Sequence, residues 1–168
     1  ALKLIDDGII RRDRWMAEEL LVDVDSIARD IKFYMFYGKV GLILETARVS
    51  GIKRCWYDTD LNYVETGKYL NNSFKGSRDQ LDTLKELATK VSLEIPTPFV
   101  RIDFLISEGK YYLGEFTPVP ANYDEFSKQW DTYLGECYAE AIVRLCHDVA
   151  QGKVFEKYQK LEKGWSPT

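Results

Sequence analysis

One histidine and three cysteines are all that this 168-residue chain carries of the two residue types, and each scarcity excludes a class of chemistry. Cys55, Cys137 and Cys146 are odd in number and lack metal-ligand spacing, so reduced thiols in a cytoplasmic protein are expected rather than a disulfide framework. His147 follows Cys146 directly, but adjacent helical positions point about 100° apart, which argues against a nucleophile–base pair. Long apolar runs are missing too. The longest, residues 40–44, is strand-sized, so no membrane span is expected, and no signal-peptide pattern opens the sequence. With a net charge of −4 and no dense run of Lys and Arg, the chain lacks the footprint of a nucleic-acid binder. There is no internal repeat and no low-complexity tract. The length suits one core and not two, in the composition range of a soluble globular domain.

What is present is concentrated in residues 99–120, FVRIDFLISEGKYYLGEFTPVP. Val100, Ile102, Phe104 and Ile106 alternate with Arg101 and Asp103, a two-residue period that predicts a strand with one apolar and one polar face. Gly109 marks a turn. Beyond it, Tyr112, Gly114 and Phe116 are expected to continue the apolar set, and Leu113, Glu115 and Thr117 to share the opposite face. Opposed residues of an antiparallel pair point to one side, so the two polar sets coincide only with a loop of odd length. A loop of about three residues is therefore expected.

Two carboxylates so close raise each other's pKa unless a cation lies between them, which suggests Mg²⁺ on Asp103 and Glu115 with Thr117 or water completing the set. Arg101, two residues from Asp103, could grip a transferring phosphoryl group. An ion-pair ladder on an ordinary sheet face fits the same pattern equally well. If the carboxylates repel one another when no cation is bound, Asp103→Asn should abolish metal-dependent turnover with little change in stability.

The strand–turn–strand form R-I-D-F followed by G-K-Y-Y-L-G-E-F-T-P resembles the metal-binding hairpin of ATP-grasp enzymes, and specifically of their TupA-like, teichuronopeptide-synthesis branch. Residues 30–40, DIKFYMFYGKV, resemble that branch's D-Y-K-F-x-x-F-x-G segment; Arg48 and the pair Tyr57 and Asp58 fall where it continues with an Arg and an aromatic–acidic pair. Residues 15–21, WMAEELL, are similar to the strand that enters the hinge, where adenine lies against the backbone. The resemblance runs from about residue 14 to about residue 146. It implies ATP and Mg²⁺ as cofactors, nucleotide contacts from Glu18, Glu19 and Leu21 at the hinge, Asp30 toward the ribose hydroxyls, Lys32 toward phosphate and Arg48 converging on the same cleft. Exposed hinge charges and a ligand-free strand-initiating Asp are the competing readings. Where many superfamily members carry Asn, two residues after the metal Glu, this chain has Thr117.

The fold expected is α+β, a mainly antiparallel sheet packed by helices, as in the ATP-grasp C-terminal subdomain. Residues 1–13 would be the tail of a preceding element and 14–168 the metal-binding subdomain, implying a C-terminal fragment of a longer polypeptide with weak ATP affinity on its own. Other expected elements are a hinge strand at 15–21, a hairpin of 31–37 and 40–47 turned at Gly38 and Lys39, and a strand at 52–57. A long surface loop is expected at 58–75. Ser77 should cap a helix with Leu81, Leu84, Leu87, Ala88 and Val91 on its apolar stripe. A helix over 132–150 should carry Leu134, Cys137, Tyr138, Ala141, Ile142, Leu145 and Val149 on one side, and 154–161 resumes beyond Gly152. Pro118 and Pro120 hold the chain extended, placing 122–126 at the cleft mouth.

The resemblance implies an ATP-dependent carboxylate–amine ligase working through an acylphosphate, in cell-surface polysaccharide or peptide-polymer synthesis. Its partners would be a nucleotide and a small carboxylate or amine substrate. A non-catalytic scaffold that retains the fold, and an ATP-grasp small-molecule kinase, stay open, as does a homo-oligomer.

Overall fold

The structure is a computed structural model and describes residues 5, 8, 17–23, 26–48, 51–69 and 77–164. Most of residues 1–13, expected as the tail of a preceding element, with Trp15, Met16 and residues 70–76, lies outside the described residues. The long strands are β3 (Arg29–Phe36), β4 (Lys39–Ala47), β5 (Lys53–Tyr57), β6 (Val100–Ser107) and β7 (Lys110–Thr117), preceded by the two-residue strands β1 (Val22–Asp23) and β2 (Ser26–Ile27). Three helices follow the strands or interrupt them: α1 (Leu81–Ser92), α2 (Lys128–Ala150) and α3 (Glu156–Gly164). The five long strands form one antiparallel sheet in the order β5-β4-β3-β6-β7, so the expected α+β class holds.

Both faces of the sheet are used. On one, Ile31, Phe33, Ile43, Tyr57, Ile102, Phe104 and Ile106 bury against Leu81, Leu84 and Ala88 of α1. Each large apolar side chain so buried contributes about 1.5–3 kcal/mol. On the other, Tyr34, Leu42, Leu44 and Trp56 pack with Ala141 of α2, joined by Trp130, Leu134, Cys137 and Leu145. The strand period places Asp30, Lys32, Arg101 and Asp103 on this second face, beside the part that the α2 cluster covers.

The second hairpin departs from expectation. Ser107 pairs with Lys110 and the turn holds only Glu108 and Gly109, at φ of 49° and 73°. Two positive φ values are those of a type I′ turn, whose twist matches the strands it joins. A two-residue turn alone would put Asp103 and Glu115 on opposite faces. The ladder, however, shifts between Asp103 and Phe104: Phe104 pairs with Leu113 and Asp103 with Glu115, leaving Gly114 as an unpaired bulge residue. The bulge restores the shared face. It also reverses the alternation before it, so that Leu113 and Tyr111 lie on the side of Phe104 and Ile106, and Tyr112 lies on the polar side. Phe116 remains on the apolar side, opposite Ile102.

The first hairpin repeats the design, with a two-residue turn at Tyr37 and Gly38, one residue earlier than expected, and a register shift after Tyr34 that leaves Gly41 unpaired. Residues 17–21 form no strand; extended pairing begins at Val22. Ser77 is not the helix cap. Its hydroxyl accepts from the Asp79 amide at 3.0 Å, and α1 begins four residues later after Gln80, at φ 69°. Leu87 is exposed, leaving Leu81, Leu84 and Ala88 as the buried stripe with Val91 packed beside them. On α2, Tyr138, Ile142 and Val149 are exposed as well, so its packed stripe is narrower than the expected one. The expected surface loop after β5 dips inward, with Thr66 and Lys68 buried.

Candidate active site

Strand β6 lies between β3 and β7, and register alone sets three charged positions side by side: Lys32 on β3, Asp103 on β6 and Glu115 on β7. Arg101, one pair along, faces Tyr34 on β3 and Thr117 on β7. The side chains join into one continuous network. Arg101 donates from Nε to Asp103 Oδ1 and from Nη2 to Asp103 Oδ2, both at 2.7 Å, and Nη2 also reaches Glu115 Oε1 at 2.9 Å. Thr117 donates to the same Glu115 oxygen at 3.2 Å. Lys32 Nζ donates to Asp103 Oδ2 at 2.6 Å and lies 2.8 Å from Asp30 Oδ1. Arg48, just past β4, donates to Asp30 Oδ2 at 2.7 Å.

The structure therefore brings together Asp30, Lys32, Arg48, Arg101, Asp103, Glu115 and Thr117. Glu18, Glu19 and Leu21 do not join them. Glu18 and Glu19 are exposed, the Leu21 carbonyl accepts from the Ala28 amide at 3.1 Å, and neighbouring Val22 accepts from the Ser107 hydroxyl at the turn end of β6.

Asp103 is only 4% exposed and both its oxygens are engaged by cations, whereas the Glu115 side chain is 63% exposed and its contacts fall on Oε1 alone. The repulsion expected between the two carboxylates is thus relieved by Arg101, which lies between them. Asp103→Asn would leave two cations underpaired, so the structure predicts a loss of stability where the sequence predicts little change. Burial works against the Arg101 charge, yet its hydrogen bonds to Asp103 and that carboxylate's charge hold its pKa above the ordinary guanidinium value. Burial pushes the Tyr34 hydroxyl up to about 12, with the Arg101 charge pulling the other way. Although Lys32 Nζ is close, its hydrogen bond goes to Asp103, and Asp30 Oδ1 is buried with no hydrogen bond of its own among the described residues.

For Mg²⁺ the donor chemistry fits: two carboxylates on adjacent strands and a hydroxyl, all hard oxygens. Among the described residues no group of three or more His, Cys, Asp or Glu side chains is arranged to hold a metal, so any ion here would rest on this pair.

Two cations near the same face escaped the sequence reading. Arg54 pairs across β4 with Thr46, which in turn pairs with Asp30, and Lys68 is buried beside Tyr69 and Phe126. For Arg54 a signal existed: it stands two residues before Trp56 on a short strand, hence on the same face. Lys68 had none, because a Gly- and Asn-rich stretch without a period reads as a loop.

No curated protein matches the chain. Among solved structures, a D-alanine–D-alanine ligase from Bacillus anthracis is similar at 13% identity and a TM-score of 0.44, over 72% of this chain and 41% of that one. The chain thus spans less than half the length of that enzyme. The TupA-like ATPgrasp family profile matches residues 3–139. By that match over most of its length, the chain belongs to the TupA-like ATP-grasp family.

Proposed function

We propose that the charged face of β3, β6 and β7 binds the triphosphate of ATP with Mg²⁺, and that the site serves a carboxylate–amine ligase. The observation that carries this reading is the cross-strand pair Asp103 and Glu115, joined by Arg101 and flanked by Lys32. In such a reaction the γ-phosphoryl group moves to a carboxylate oxygen as its bond to ADP breaks. An amine nitrogen then attacks the acyl carbon, loses a proton and displaces inorganic phosphate, leaving an amide. The acceptor class we favour is a component of a cell-surface polysaccharide or peptide polymer.

Asp103, Glu115 and Thr117 would hold Mg²⁺, which when bound neutralises phosphate charge. The chain's own residues supply the rest. Arg101, released from Glu115 as ligand arrives, offers a planar fork to the transferring group and stabilises its developing charge. Lys32 presents a compact ammonium to the phosphate oxygens, fixed by Asp103 on one side and Asp30 on the other. Asp30 Oδ1, which lies 2.8 Å from the Lys32 ammonium and accepts no hydrogen bond among the described residues, would accept from a ribose hydroxyl. Hinge contacts from Glu18, Glu19 and Leu21 remain part of the proposal, with the backbone of 18–21 as the adenine-reading element.

A non-catalytic reading is favoured by one specific observation: Arg101 and Lys32 already satisfy both Asp103 oxygens. The two readings separate in an assay of ADP release from Mg²⁺-ATP in the presence of mixed carboxylate and amine acceptors. A ligase gives ADP only when acceptors are present, and loses it in Glu115→Gln. A scaffold gives none with any acceptor.

A further inference from the structure

On β5, Arg54 sits over the Tyr69 ring, its guanidinium carbon 3.9 Å from the centroid, and Tyr69 in turn stacks on Trp56 with ring centroids 6.2 Å apart and planes within 9°. Trp56 is itself fixed, since its indole N–H donates to the Lys68 carbonyl at 3.2 Å. Tyr69, held by Trp56, thus supports a half-buried guanidinium. A cation held by a ring face keeps its N–H donors for other partners, and among the described residues Arg54 donates no side-chain hydrogen bond. Among the described residues no carboxylate forms an ion pair with Arg54, in contrast to Arg48, which is held by one, and Lys32 and Arg101, each held by two.

A second cation stands beside it. Lys68 is 2% exposed, with its ammonium donating to the carbonyls of Ala121 at 3.0 Å and Asn122 at 2.6 Å. These neutral partners position the ammonium without cancelling its charge. Burial lowers its pKa; the charges of Glu125 and Asp124 act against that, and those of Arg101 and Arg54 add to it. Arg54 shares a sheet face with Thr46 and Asp30, two strand spacings or about 10 Å from β3.

We infer that Arg54, held over Tyr69 and supported by Lys68, is a receptor for an oxyanion of the substrate, a carboxylate or a phosphate. The inference rests on the ligase reading in taking this face as the reaction site and adds to it an anionic group bound on the β5 side. The oxyanion has two sources, the nucleotide's phosphate chain and the acid group of the molecule to be joined.

The test is calorimetric titration of the chain with tripolyphosphate and, separately, with glutarate, following the Arg54 Nε–H resonance. Arg54→Gln and Arg54→Lys are compared with the wild type, with thermal midpoints confirming that each variant is folded. The expected result is that one anion shifts the Arg54 signal and that its affinity falls at least tenfold in R54Q. The loss is smaller in R54K, which keeps the charge without the fork. Loss confined to tripolyphosphate assigns the receptor to the nucleotide; loss confined to glutarate assigns it to the acid substrate. Unchanged affinity for both anions in R54Q, or no shift of the signal with either, overturns the inference. Mg²⁺-ATP binding on the same samples separates the two proposals: if it persists while Arg54 is silent, only the receptor fails. If it is missing while Arg54 responds to an anion, only the nucleotide reading fails.

Discussion

Asp103 and Glu115 stand opposite one another across a hairpin whose two-residue turn would, by parity, have placed them on different faces. The single unpaired residue between them and the turn, Gly114, makes up the difference. A Cβ at Gly114 would come within 3.2 Å of the Asp103 carbonyl oxygen, so the bulge also brings the β7 backbone close to Asp103.

Deleting Gly114 should therefore leave the charged face intact, because it removes the unpaired residue and lets Leu113 and Glu115 follow one another opposite Phe104 and Asp103. Stability should stay within about 1 kcal/mol of wild type, as for a change away from core packing. Cross-strand proton contacts between residues 103 and 115 in nuclear magnetic resonance check this. Their loss in a folded deletion variant would contradict the bulge as the cause of the shared face.

The strand alternation around Arg101 and Asp103 was legible because one face is apolar and the period is strict. The bulge was not, since Gly114 sits in the sequence like any strand residue and only the ladder shows that it lacks a partner. Parity plus a common loop length pointed to a three-residue turn, and the protein reaches the same facing with two residues and a bulge. On α2, Tyr138 and Ile142 have helical spacing, but only Trp130, Leu134, Cys137, Ala141 and Leu145 pack in the cluster against the sheet. Lys68 could not be foreseen, because its burial depends on backbone carbonyls 53 and 54 residues away.

Asp103→Asn should destabilise the fold by roughly 3 kcal/mol, since removing one partner of a buried ion pair leaves Arg101 and Lys32 undercompensated. Urea denaturation measures it. A variant as stable as the wild type would mean that solvent already screens these pairs.

Alkaline pH offers an independent check. The folded protein holds the Tyr34 proton to about 12, against an ordinary value of 10.0. The unfolded chain releases it first, so this group's contribution is complete below pH 10 and is lost as pH rises toward 12, about 2–3 kcal/mol in all. Tyr133, also raised to about 12, and Tyr57, raised chiefly by burial, act in the same direction. Absorbance at tyrosinate wavelengths should show a class of tyrosines that ionise only as the protein unfolds, and Tyr34→Phe should reduce the loss of stability. Ionisation of all tyrosines near pH 10 with the fold intact would contradict the burial.

Glu45 gives a prediction away from the charged face. It is buried on the α1 side, accepting from Arg29 at 2.7 Å and from the Tyr57 hydroxyl at 2.8 Å. Tyr57→Phe leaves one carboxylate oxygen without its donor and should cost about 1–3 kcal/mol in thermal or urea unfolding. No change would show that water replaces the hydroxyl.

The most direct measurement is calorimetric titration of this chain with ATP in the presence and absence of Mg²⁺, using wild type and Glu115→Gln. Glu115 is exposed, so its substitution should leave folding untouched while removing one of the two carboxylates. If the charged face is the nucleotide site, ATP binds with Mg²⁺ and at least tenfold more weakly without it, and the Mg²⁺-dependent gain disappears in E115Q. ATP binding that is indifferent to Mg²⁺, or a Mg²⁺-dependent gain that E115Q retains in full, would contradict a metal–nucleotide site built on Asp103 and Glu115.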